Sequence, residues 1–385
     1  MTSMRPGLQT GKSSGAGARA LVLVAAALAA CGHSPAPSPE VTVRQVAGPA
    51  ALPTPIESPA SPTALPSSTP TGTPVPAAPL RLTESGCCTR AFWSPDSRWV
   101  AFIDRPDVER PAGIYAVPVE GGPPQLAIEP PGLLSADWTL LAYDQGGRTV
   151  VERVADGRHW IVPNEGRAVL LSPDGSAVAW AMGSQGITHP DLRQRSIWTA
   201  GADGSGVREV IRVRGGGMIG WADGGGHLIV SGRVQAEGPA GVWRVEPENG
   251  RAVLLAEAER PRDPLLSPGG GWLAFFLAFD TGPGANGLYV VRTDGSQLTR
   301  LDVFGAYRWR QEGQLLVIPL QSTGDSMPAL LQVDVVSGTA TPLSLPEATP
   351  FDVGGNEWQV SPDGTRLVFL SASDRSLWVM PLPAP

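Results

Sequence analysis

The chain has 385 residues, a formal net charge of −7 and only 17% charged residues. Apart from Lys12 every basic residue other than histidine is arginine, and the arginines are scattered, which argues against a nucleic-acid footprint. The 47 glycines and 40 prolines suit many short strands joined by turns, together with a linker, more than a helical domain.

Residues 1–30 read as a lipoprotein signal peptide. Arg5, Lys12 and Arg19 form a positive n-region, and the apolar run Ala20–Ala30 is too short to span a bilayer as a helix. It ends in Leu28-Ala29-Ala30-Cys31, which resembles the bacterial lipobox. That resemblance implies cleavage before Cys31, diacylation of its thiol and a stable lipid anchor in an extracytoplasmic membrane leaflet, periplasmic or at the cell surface. Residues 31–78 follow as a Pro/Ser/Thr-rich disordered linker. Thirteen of the 47 residues from His33 to Pro79 are proline, a composition that cannot bury a core and reaches at most about 150 Å as polyproline II.

From residue 79 onward one phrase recurs: FWSPDSRWVAF from Phe92, LLSADWTLLAY from Leu133, LLSPDGSAVAW from Leu170, GWADGGGHLIV from Gly220, LLSPGGGWLAF from Leu265, RWRQEGQLLVI from Arg308 and QVSPDGTRLVF from Gln359. The centres Asp96, Asp137, Asp174, Asp223, Gly269, Gln311 and Asp363 lie 37–52 residues apart. This period, with several strands per copy, is the pattern of propeller blades. The alternating stretch after each phrase predicts a second strand. A later phrase, such as IYAVPVEGGPPQLA from Ile114 or LYVVRTDGSQLTRL from Leu288, predicts a third and a fourth strand joined by a hairpin. The central aspartates are read as turn formers and not as catalytic acids.

The fold expected for residues 79–385 is therefore all-β: a seven-bladed β-propeller of four-stranded blades. The last copy ends at Leu377–Met380 with little chain left, whereas Pro79–Thr83 at the front matches the outer-strand phrase. The N-terminal strand is thus expected to close the last blade. A closed ring leaves no exposed sheet edge between the two chain ends.

FWSPDSRWVAFID with IYAVPVEGG, and LLSPDGSAVAW with IWTAGADGS, resemble the TolB-type, WD-like propeller repeat. The resemblance covers residues 79–380 and implies architecture more than activity. The same repeat occurs in TolB, in the propellers of prolyl-oligopeptidase-like peptidases and in bacterial lipoproteins. TolB's separate N-terminal α/β domain has no counterpart here, so its role is not carried over. The one Gly-x-Ser-x-Gly, Gly11–Gly15, falls inside the signal segment, so a peptidase domain is not expected either.

Few residues suggest chemistry. His33, His159, His189 and His227 are dispersed, and no zinc, calcium or phosphate-loop motif occurs, so no catalytic residue, metal site or cofactor is assigned. Cys87-Cys88 are the two thiols left once Cys31 is acylated. They are expected to form a vicinal disulfide in an oxidising compartment, as a structural clip or beside a ligand; free thiols or a bridge between chains are the alternatives. The residue four before each repeat serine is expected to line the channel mouth, and it is charged only at Arg90, Asp263 and Glu357. Arg90 and Glu357 fall on neighbouring blades, as an ion pair locking the ring or as part of a polar ligand site with Asp263. Most of the 12 tryptophans are read as packing between blades. The expected function is a monomeric, membrane-anchored binding or scaffold module for a protein or envelope polysaccharide. The alternative is a lactonase- or lyase-like enzyme with its site in the channel.

Overall fold

In five of the seven repeats a buried serine meets a tight turn, at Ser94, Ser135, Ser172, Ser267 and Ser361, and the strands follow from that turn. The computed structural model describes residues 78–84, 89–183, 189–278, 286–320, 330–343 and 351–383. Cys31, the signal segment, the linker up to residue 77 and the Cys87-Cys88 pair lie outside the described residues.

Strand β1 (Leu80–Arg81) stands apart in sequence from its sheet. Strands β2 (Thr89–Trp93), β3 (Trp99–Asp104), β4 (Gly113–Pro118) and β5 (Gln125–Ile128) form one four-stranded antiparallel sheet. The next contains β6 (Leu133–Leu134), β7 (Leu140–Asp144), β8 (Thr149–Arg153) and β9 (His159–Ile161). A seven-stranded sheet follows, with β10 (Val169–Leu171), β11 (Ala177–Gly183), β12 (Gln194–Gly201), β13 (Arg208–Ala222), β14 (His227–Arg233), β15 (Gly241–Val245) and β16 (Ala252–Glu257). Two more four-stranded sheets comprise β17 (Arg262–Leu266), β18 (Trp272–Leu277), β19 (Gly287–Arg292) and β20 (Leu298–Leu301), then β21 (Gly305–Gln311), β22 (Gln314–Pro319), β23 (Leu330–Asp334) and β24 (Ala340–Leu343). The last sheet runs β1-β27-β26-β25, with β25 (Val353–Val360), β26 (Arg366–Ser371) and β27 (Leu377–Pro381).

The arrangement is that of a β-propeller. The expectation of seven separate four-stranded blades needs correction: five sheets are four-stranded, and the third and fourth repeats share one seven-stranded sheet. The reason is β13. Its 15 residues run without a break from the outer strand of the third repeat into the inner strand of the fourth. Register shifts between Arg214 and Gly217, and between Met218 and Gly220, take up the change of partner.

At the chain ends, Leu80 pairs with Val379 and Arg81 with Trp378. Leu82 N–H donates to the Leu377 carbonyl at 2.8 Å. Trp93, Val100, Phe102 and Tyr115 of the first sheet bury themselves in one cluster with Val368, Leu370 and Val379 of the last. Comparable apolar clusters fill the other gaps between successive repeats, for example Val178 and Trp180 with Val151 and Ala142. A buried Val, Leu or Phe is worth about 1.5–3 kcal/mol each, so these seams are where the fold gains most of its stability.

Polar devices at the seams repeat as well. The indole N–H of Trp93, Trp221 and Trp309 donates to a carbonyl of the preceding repeat's inner strand: Gln359 at 3.3 Å, Leu170 at 3.2 Å and Leu265 at 2.8 Å. Each acceptor lies two residues before its own repeat's turn serine. These tryptophans therefore set the angular relation between repeats as well as packing there.

The turn serines accept backbone N–H groups and donate to the central aspartates: Ser94 to Asp96 at 2.5 Å, Ser135 to Asp137 at 2.5 Å, Ser172 to Asp174 at 2.6 Å and Ser361 to Asp363 at 2.5 Å. The next residue takes positive φ, as in Ser97 (59°), Trp138 (60°), Gly175 (65°) and Gly364 (70°). The fifth repeat has Gly269 where five of the other six carry aspartate. Glu312, from the sheet that follows, fills the gap. It accepts from Ser267 Oγ at 2.9 Å and from Gly269 N–H at 2.5 Å.

Candidate functional site

The first strand of several sheets starts with a bulge, and three of these bulges hold a non-glycine residue at positive φ. Register shifts fall between Thr89 and Phe92, between Arg262 and Leu265, and between Val353 and Trp358. At them Arg90, Asp263 and Asn356 take φ of 66°, 48° and 61°. A non-glycine residue at positive φ is uncommon, and bulges commonly re-aim side chains near binding sites. Two of the three predicted mouth residues, Arg90 and Asp263, occupy such positions; Glu357 directly follows the third.

The expected Arg90–Glu357 ion pair does not form, and this is a correction. The bulges displace both residues from the straight-strand register on which the pairing rested. Glu357 and Asp263 instead share the neighbourhood of Arg308, a residue missed by counting four back from each serine because it lies two back. Arg308 Nε donates to the Trp358 carbonyl at 2.9 Å, Nη1 to Tyr307 at 2.7 Å and Nη2 to Asn356 at 2.8 Å. Its guanidinium also lies over the Trp358 ring, 5.2 Å from the centroid. Burial pulls its pKa down, while Tyr307, Glu357 and Asp263 oppose the shift. The Tyr307 hydroxyl donates to the Asp263 carbonyl. Burial, then the Asp263 charge, pushes the pKa of that phenol far up, so it remains a donor.

A second feature lies beside Asp263. A recess of about 560 Å³ is lined by Arg193, Arg195, Arg260 and the Gly215–Gly217 stretch of β13, with Pro261 and Pro264 on either side of Asp263 in the chain. Arg260 pairs with Asp191, tying the short 3-10 turn Pro190–Leu192 of the third repeat to the start of the fifth. The glycines let chains approach closely: a Cβ on Gly216 would lie 2.0 Å from the Ser231 carbonyl oxygen, and one on Gly217 would lie 2.5 Å from Arg195 Nη1.

The histidines remain apart. His159 is exposed, His189 borders the recess, and His227 Nδ1 lies 2.9 Å from Asp223 Oδ2. Among the described residues no group of three or more His, Cys, Asp or Glu stands together to hold a metal.

No protein-family model matches the sequence, and no curated protein matches it. Solved structures do. An oligogalacturonate lyase in complex with manganese aligns at TM-score 0.54 and 12% identity, covering 80% of this chain and 97% of that one. An oligogalacturonate lyase from Vibrio parahaemolyticus aligns at TM-score 0.53 and 11% identity, covering 81% and 92%. A putative TolB from Agrobacterium tumefaciens aligns at TM-score 0.38 and 19% identity, covering 68% and 95%. The chain is thus similar in fold to the two lyases over nearly their whole length. At such identities the likeness concerns the fold alone.

Proposed function

We propose that this chain is a lipid-anchored, extracytoplasmic binding module: a seven-bladed propeller on a flexible stalk, engaging a protein or envelope polymer through the face where its inner strands begin. The observation that carries the binding reading is the set of bulged strand starts at Arg90, Asp263 and Asn356, with Arg308 feeling the charges of both Asp263 and Glu357 and with an arginine-lined recess bordered by Pro261 and Pro264. Positive φ at non-glycine residues also occurs in turns, as at Ser97 and Trp138, but at a bulged strand start it re-aims a side chain, and such strain clusters at binding sites. The blade count treats the seven-stranded sheet as two blades sharing β13. The lipobox-like Leu28–Cys31 and the proline-rich segment support the anchor and the stalk.

Photo-crosslinkers placed at Arg90 and at Asp263 in cells should capture a partner that a crosslinker at Leu298, on an outer strand, does not. Equal capture from Leu298, or none from either mouth position, would sink the binding reading. Cys31→Ser should release the chain from membranes or leave it unprocessed; mature protein that stays acylated and membrane-bound would refute the anchor. Cys87 and Cys88 are proposed to form a vicinal disulfide. Intact mass after alkylation without reductant tests this: uptake of two groups means free thiols, and a covalent dimer means a bridge between chains.

A second reading, a lyase acting on an acidic oligosaccharide, draws on the names of the two neighbours and on the arginine recess. The described residues offer no clustered His, Cys, Asp or Glu set to hold manganese, so no step through a metal is derived. Breakdown of oligogalacturonate by the purified chain with manganese, abolished by Arg195→Gln, would favour this reading over a binding module.

A further inference from the structure

The recess beside β13 has the wrong charge for the molecule that contains it. The chain carries a net charge of −7, yet the recess gathers Arg193, Arg195 and Arg260 against a single carboxylate, Asp191. Asp191 is engaged by Arg260. Arg195 has no hydrogen-bond or ion-pair partner among the described residues, although it is only partly exposed. Among other partly exposed arginines, Arg308 meets three carbonyls, and Arg233 meets Glu259 and the Gly238 carbonyl. An arginine withdrawn from solvent and left without an acceptor is costly unless something supplies one.

The backbone also holds Arg195 in place. Its residue pairs across β12 and β13 with Val213, and its guanidinium reaches the Gly217 backbone, where a Cβ would come within 2.5 Å of Nη1. The planar fork therefore lies beside a strand with no side chain there to cover it. Guanidinium forks match carboxylate and phosphate oxygens in pairs. Pro190, Pro261, Pro264 and Met218 supply apolar walls. That combination of walls and one charged grip suits an anionic group carried on a larger body better than a freely hydrated ion.

We propose that this recess is an anion-binding site in which Arg195 grips the oxyanion of a carboxylate- or phosphate-bearing ligand, with Arg193 and Arg260 adding positive field at the rim. The proposal rests on reading the chain as a binding module and names the chemistry of what that module takes.

Isothermal titration of the full chain in detergent at low salt, with citrate and separately with inorganic pyrophosphate, tests it. At least one probe should bind with one-to-one stoichiometry. Arg195→Gln should weaken binding by about tenfold or more, the loss expected for one charge-assisted contact. Gly217→Ala keeps every charge but places a methyl against Nη1, and should weaken binding several-fold while the thermal melt stays cooperative. A response to citrate alone assigns a carboxylate source, to pyrophosphate alone a phosphate source, and either upholds the site. No binding of either probe, or binding unchanged in both variants, overturns it. Failure here with crosslinking still confined to the channel face would remove only the anion site. Anion binding without any channel-face capture would remove the scaffold reading and leave the site.

Discussion

Exchanging the carboxylate between Gly269 and Glu312 offers a sharp test of how the repeats are held. In four repeats the turn serine donates to an aspartate two residues on; in the fifth, Glu312 of the following sheet takes that place through Ser267 Oγ at 2.9 Å and Gly269 N–H at 2.5 Å. Removing it with Glu312→Ala leaves the buried Ser267 and a turn amide short of an acceptor. Hydrogen bonds to a charged group contribute about 1.5–3 kcal/mol each when shielded. Glu312 is exposed, so the combined loss should be about 1–2 kcal/mol, or a fall in Tm of roughly 2–4 °C. Gly269→Asp alone should also destabilise, because a Cβ there would sit 2.8 Å from Glu312 Oε1 and two carboxylates would contest the same donors. The double variant restores the local Ser–Asp turn of the other repeats and should return to within about 0.5 kcal/mol of wild type, a strongly favourable coupling. Thermal melts of the four proteins measure the cycle, and amide exchange at Gly269 reads the turn directly. Simple addition of the two losses would refute the substitution of one carboxylate for the other.

Arg310 is buried, with 1% exposure, and donates to the Gly364 carbonyl at 3.0 Å, to Gln332 Oε1 and to the Pro383 carbonyl; Arg310→Met should cost about 3 kcal/mol in denaturant unfolding, and a neutral result would show that these acceptors are satisfied otherwise. Trp93→Phe removes the indole bond to Gln359 and should lower stability by about 0.5–1.5 kcal/mol, with earlier hydrogen exchange at β1 and β27; exchange unchanged at both strands would argue against its role at the seam. For Asp363, burial pushes the pKa up, but hydrogen bonds from Ser361 and Thr365 outweigh it and hold the pKa below the ordinary 3.8; Asp174 behaves likewise with Ser172 and Ser176. A depressed folded-state pKa means stability that is present above 3.8 and lost as pH falls below it through the folded value. Melting temperature should therefore decline on that acid limb, and Asp174→Asn with Asp363→Asn should flatten the decline; an unchanged slope would refute the assignment.

The order of strands was legible in the sequence because serine, turn and alternation sit next to one another along the chain. Ser172-Pro-Asp-Gly175 needs only its own atoms to make a turn, and Ala177–Trp180 needs only its own period to become a strand. The pairing of Leu80 and Arg81 with β27 was also readable, since the missing outer-strand phrase reappears at the front. What depends on neighbours was not. Joining two repeats through β13 requires its bulges at Gly215–Gly217 to bridge two sheets, and glycine spacing alone does not reveal that. The pairing of Arg90 with Glu357 failed because a bulge shifts register without leaving a mark in residue count. Arg308 and Glu312 are ordinary charged residues in sequence. They acquire a role only from carbonyls and amides of the adjoining sheet, across seams that only the tertiary structure creates.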